Sequence, residues 1–139
     1  MASKLRSIQR AREQETAKAA VLQVTLEDLL RSRQALQSLA SMPLPARDAF
    51  RLCKIVKAVA KELEACNDTR LKLCEQFGKL NEDTQSYDFA SDSDREAFTR
   101  EYGELLKTEV EISGERINPS ILNNISAGEL LVLAWLIED

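Results

Sequence analysis

Residues 49–80 read AFRLCKIVKAVAKELEACNDTRLKLCEQFGKL, and their apolar positions step alternately by three and four. The series is Ala49, Leu52, Val56, Val59, Leu63, Cys66, Arg70, Leu73, Phe77 and Leu80, with Arg70 its one polar member. A stripe repeating every three to four residues over roughly five heptads is the signature of one continuous amphipathic helix with a coiled-coil-type seam. Counted from the preceding prolines, the pattern predicts a helix of about 36 residues, near 54 Å long. Arg70 has two readings. In one it is an edge position whose stem packs while its head reaches water; in the other it is a charge that specifies a partner.

N-terminal to this rod, Met42-Pro43-Leu44-Pro45 ends one helix and opens the next, because a proline in a first turn forfeits no intrahelical hydrogen bond. The helix it ends begins after Thr25, which can cap, with Asp28 in the first turn, and it runs to about Ala40. Leu26, Leu29, Leu30, Leu36 and Leu39 give it one broad apolar face. Residues 1–22 differ. Lys4, Arg6, Arg10, Arg12 and Lys18 stand against Glu13 and Glu15, apolar residues are few, and alanine is plentiful. This is a basic, helix-prone arm with too little apolar face to fold alone. Its first twelve residues superficially resemble a transit peptide but lack the apolar segment of a secretory signal.

C-terminal to the rod, residues 81–94 hold five acids, no Lys or Arg and several turn formers, and read as a solvated acidic loop. Helix resumes near Asp94, with Phe98, Tyr102, Leu105 and Leu106 on one face. Glu109-Val110-Glu111-Ile112 alternates with period two, Ser113-Gly114 is a turn, and Glu115-Arg116-Ile117 is positioned to return as a second strand of a small hairpin. Ser126 and Glu129 then form a capping box for a last helix, residues 127–138. Leu130 to Ile137 is apolar without interruption, so this helix needs cover on every side. Leu130, Leu133, Leu136 and Ile137 are the expected inward anchors, and Val132 and Trp135 the expected outward pair and candidate interface. The competing reading wraps the whole tail inside one chain.

The chain has 139 residues and a net charge of −4, with no histidine and three cysteines. Without histidine there is no Ser-His-Asp or Cys-His nucleophile system and no histidine-ligated zinc. Cys53, Cys66 and Cys74 form no C-x-x-C pair, and we read them as buried thiols of a reducing compartment. No glycine-rich phosphate loop or nucleophile motif occurs, and the acidic stretch lacks the spacing of an EF-hand. We therefore expect no catalytic residues, no cofactor and no metal: the chain is not an enzyme. The eight-residue apolar run is far short of the roughly 20 residues that span a bilayer, so no membrane is expected.

Three stretches carry a resemblance. They are Leu44-Pro45-Ala46-Arg47-Asp48-Ala49-Phe50, the run Tyr102-Gly103-Glu104-Leu105-Leu106-Lys107-Thr108-Glu109-Val110-Glu111-Ile112, and Ile125-Ser126 before the apolar tail. From about Val24 onward the chain resembles a family of small phage and prophage proteins of unassigned function. The resemblance implies phage origin and no mechanism.

The expected fold is mostly α: an elongated antiparallel helical bundle around one long central helix, with a small β-hairpin and an apolar C-terminal helix. Residues 23–139 form its single domain and residues 1–22 its arm. The 26–40 helix should pack on the first half of the rod and the 98–106 helix on the second. The expected function is a non-enzymatic, phage-encoded interaction or assembly protein, cytoplasmic in the host cell or virion-associated, that acts through a protein partner or self-association. Two alternatives stand beside it: a modulator of a host protein, and a nucleic-acid-associated regulator using Lys4, Arg6, Arg10 and Arg12.

Overall fold

The computed structural model describes residues 21–122 and 124–138. Its elements in chain order are β1 (Val21–Thr25), α1 (Leu26–Ala40), α2 (Ala46–Phe77), β2 (Lys79–Asn81), β3 (Ser86–Asp88), α3 (Asp92–Leu106), β4 (Glu109–Ser113), a 3-10 turn (Pro119–Ile121) and α4 (Ala127–Val132). The architecture is mostly α, with small antiparallel two-stranded sheets.

The first strand passes straight into the first helix. Thr25 is both the last residue of β1 and the N-cap of α1, its Oγ1 accepting from the Asp28 N–H at 3.2 Å. One residue on, the Leu26 N–H donates to the Thr108 carbonyl at 3.0 Å, which ties the helix start to the foot of β4. β1 and β4 pair antiparallel with Leu22 opposite Ile112 and Val24 opposite Val110. Leu22, Val24 and Ile112 are buried, so the ribbon turns one apolar face to the core and one polar face outward. Val21 and Leu22, expected in the arm, therefore belong to the sheet.

The expected partner of β4, residues 115–117, pairs elsewhere. Gly114 has a φ of 149°, and a Cβ there would lie 3.0 Å from Ile55 Cγ1, so the chain turns with its backbone pressed against α2. It then leaves the ribbon, and Ile117 forms an isolated parallel bridge with Ile137. The Ile117 N–H donates to the Leu136 carbonyl at 2.8 Å, and the Glu138 N–H to the Ile117 carbonyl at 2.9 Å. Such short returning strands are marginal when isolated, and the non-local partner β1 supplies the longer register.

α2 is the expected rod, somewhat shorter at 32 residues. It starts after Pro45 and stops at Gly78, whose extended backbone is hemmed in. A Cβ on Gly78 would sit 3.0 Å from the Cys74 carbonyl oxygen and 3.1 Å from that of Asp88. Leu80, expected on the seam, lies beyond the helix in β2 and is exposed, and Ala49 is exposed too. The buried positions are Leu52, Ile55, Val59, Cys66 and Cys74. Residues 79–88, expected to lie largely in a plain loop, form the β2–β3 hairpin. Asn81 organises its turn by accepting from the Asp83 N–H at 3.0 Å and donating to Asp88 Oδ2 at 3.0 Å. α1 and α3 both pack on α2. Leu29, Leu39, Ile55, Ile112, Leu133 and Leu136 are the innermost apolar side chains, drawn from two helices, one strand and the C-terminal segment.

Candidate interaction surfaces

The C-terminal segment opens as its sequence indicates. Ser126 caps α4, its Oγ accepting from the Glu129 N–H at 3.1 Å while lying 3.2 Å from Glu129 Oε1. The expected helix over 127–138 is corrected by its length: α4 ends at Val132, residues 133–136 turn, and Ile137 enters its bridge. Breaking the helix lets Leu133, Leu136 and Ile137 all sink into the core and swings Trp135 onto α1. There the indole Nε1–H donates to Ser32 Oγ at 2.8 Å. Ser32 is fully buried and is the core's one buried polar side chain among the described residues. Its Oγ lies 2.6 Å from the Asp28 carbonyl oxygen and 2.9 Å from that of Val132, with one proton to donate to either. The result is a polar latch between the tail and α1.

The candidate pair Val132 and Trp135 lines a cleft at the surface, with the Val132 carbonyl and the Trp135 indole both meeting Ser32. Both are half-buried, so each keeps part of its surface free beside the cleft. Leu130, expected as an inward anchor, is 38% exposed, and its neighbour Leu131 is 78% exposed. Leu131, Ala134 and Trp135 flank a cleft of about 340 Å³ whose opposite wall carries Asp28 and Arg31 of α1. Sequence reasoning missed Leu131. The signal was present in the helix phase, since a residue two positions from the fully buried Leu133 is turned about 200° away from it.

A second concavity, a groove of about 680 Å³, runs along α2 between α1 and α3. Val59 and Cys66 form its floor, Leu30 of α1 and Leu63 of α2 its apolar walls, and Tyr102 of α3 reaches it from the other side. Arg70, the break in the seam, lines it while half-buried. Its Nε and Nη2 both donate to Asn67 Oδ1, at 3.2 and 3.0 Å, so the guanidinium is held in place. Burial pushes the nearby Cys66 thiol up from its ordinary pKa, against the opposing pull of the Arg70 charge. Cys66 and Cys74 are buried as expected, whereas Cys53 is exposed. It sits one position past Leu52, and the inward face of α2 has already turned away.

Lys4, Arg6, Arg10 and Arg12, the candidate nucleic-acid contacts, lie outside the described residues. Among the described residues no three His, Cys, Asp or Glu side chains are grouped to hold a metal ion. No helix there is long and apolar enough to cross a membrane. No family model, no curated protein and no solved structure matches the chain.

Proposed function

We propose that the chain is a non-enzymatic interaction or assembly protein of phage origin, a helical bundle that works through protein–protein contacts in the host cytoplasm or on the virion. The observation that carries this reading is the exposed apolar pair Leu130 and Leu131 beside the Trp135 cleft. Exposed apolar side chains beside a tryptophan-lined cleft, rimmed by the charged Asp28 and Arg31, have the composition of a contact site. The Ser32 latch adds support. It fixes Trp135, and with it the wall of the cleft, at a defined position on α1 rather than leaving the tail free.

The test is sedimentation over a concentration series, wild type beside Leu131→Glu. Leu131 is so exposed that the substitution leaves the core intact, and the melting temperature should not move. We expect concentration-dependent self-association in the wild type that disappears in the variant. A wild type that stays monomeric throughout, indistinguishable from the variant, refutes this surface as a self-contact.

A further inference from the structure

From the groove along α2 we propose a docking site for an acidic amphipathic helix of a partner protein, with Arg33 and Arg70 receiving the partner's carboxylates. The inference rests on the reading that the protein acts through protein–protein contacts, but it uses a surface separate from the Leu131 cleft.

The shape comes first. The α2 residues that line the groove begin at Val56, continue through Ala60 and Leu63, and end at Arg70. Those fourteen steps span about 21 Å, the length of about 14 residues of a helix laid alongside. α1 supplies one wall over Leu30 to Gln37, and Tyr102 of α3 stands on the other side. Two helices packed on a third leave a furrow between them, floored by Val59 and Cys66 and walled by Leu30 and Leu63, with apolar side chains at three- and four-residue spacing along α2. That is how a groove recognises an amphipathic helix through i, i+3, i+4 and i+7 anchors.

Charge selects the occupant. The whole chain is net −4, yet this groove carries two guanidinium groups, Arg33 and Arg70, against one carboxylate, Glu64. Among the described residues neither arginine forms an ion pair; the two pairs present are Arg31–Glu27 and Arg51–Glu115. Arg70 is preorganised, because both hydrogen bonds to Asn67 Oδ1 fix its plane before a ligand arrives. A guanidinium held at the rim of an apolar furrow suits a carboxylate on the shoulder of a bound helix. The chain's own basic N-terminal residues are the wrong sign for these arginines, which favours a partner over that segment.

The test uses the full chain and two fluorescein-labelled helical peptides of about 18 residues, with the same leucine stripe but with Glu shoulders in one and Lys shoulders in the other. Anisotropy titrations at low salt should show the Glu peptide binding about tenfold tighter than the Lys peptide, the two converging as salt rises. Ala60→Tyr fills the groove from an exposed position and should abolish binding of both. Arg33→Glu, also at an exposed position, should erase or reverse the preference while circular dichroism stays unchanged. Leu131→Glu should keep the wild-type peptide affinity even if it abolishes self-association, so either reading can fail alone.

Four results overturn the proposal. The first is no binding of either peptide by the wild type. The second is equal affinity for both at low salt. The third is binding that appears only in the full chain carrying Leu5→Asp and Ile8→Asp, which makes the N-terminal segment the occupant. The fourth is a change in sedimentation on Ala60→Tyr, which makes the occupant a second copy.

Discussion

Ser32→Ala tests the latch that holds the C-terminal segment on α1. The native hydroxyl is fully buried, accepts from Trp135 Nε1 at 2.8 Å, and lies within donating distance of the Val132 carbonyl. Removing it strands an indole N–H and weakens the cover of that carbonyl. An orphaned part-buried donor costs about 1–3 kcal/mol. The Asp28 carbonyl loses less, because it is also an acceptor in the backbone ladder of α1. Against this, alanine is the better helix former by about 0.5 kcal/mol. The expected net loss is about 1.5 kcal/mol, or roughly 6 °C in melting temperature for a chain of this length. Trp135→Phe removes the same bond from the other side and leaves Ser32 free to donate to Val132. A double-mutant cycle should therefore show a coupling of about 1 kcal/mol between the two sites.

Urea unfolding followed by circular dichroism measures all four proteins on one scale. Trp135 is the sole tryptophan, so its fluorescence reports separately on the tail in wild type and Ser32→Ala. If the latch chiefly holds the tail, the fluorescence transition of Ser32→Ala will precede loss of helix. A Ser32→Ala protein as stable as wild type, or a cycle whose two effects simply add, refutes the latch.

Two further predictions address the backbone and the thiols. Gly114→Ala places a side chain at a φ of 149° against Ile55 and should cost about 2 kcal/mol in thermal or urea unfolding; an unchanged midpoint would mean the turn relaxes freely. With a thiol reagent at mildly alkaline pH, Cys53 should label fast and Cys66 and Cys74 slowly, and two or three fast thiols would contradict the packing of α2. Because burial raises the Cys66 pKa, the unfolded chain ionises first as pH rises. The stability this thiol contributes is thus fully present below its unfolded pKa and lost as pH climbs through the folded one, and Cys66→Ala should flatten that alkaline decline.

The long helix was legible because its signal is local and redundant: a stripe sustained over five heptads survives an error at any one position. Its inward face was less legible, for a geometric reason. The stripe marks the apolar side of the helix, and which part of that side is buried depends on the elements that pack on it. The buried set is Leu52, Ile55, Val59, Cys66 and Cys74, and Ile55 is buried where Val56 is only half-buried because the turn at Gly114 presses on it. The caps at Thr25, Ser91 and Ser126 act over three residues. Two of them, Thr25 and Ser126, stand out in the sequence itself.

What the sequence concealed is everything that depends on a partner distant in the chain. Leu22-Gln23-Val24-Thr25 alternates as Glu109 to Ile112 does, but period two names a strand and not its neighbour. The nearest candidate for Ile112, a return through Gly114, is closed by the press of Gly114 on Ile55, a contact with no sequence-local trace. The path of the tail is hidden for the same reason. Eight consecutive apolar residues look identical in a helix covered on all sides and in a broken one that buries three side chains, Leu133, Leu136 and Ile137. The choice between them rests on Ser32, about a hundred residues away, whose hydroxyl gives Trp135 a place to put its N–H. A serine in the middle of an apolar helix face was the one visible clue. Its bland reading, a hydroxyl bonded back to its own helix, holds at 2.6 Å to Asp28, yet it leaves out the partner that orders the tail. With the Trp135 indole bonded to Ser32, the apolar residues of the tail left most exposed are Leu130 and Leu131, and the candidate contact extends from the Trp135 cleft onto them.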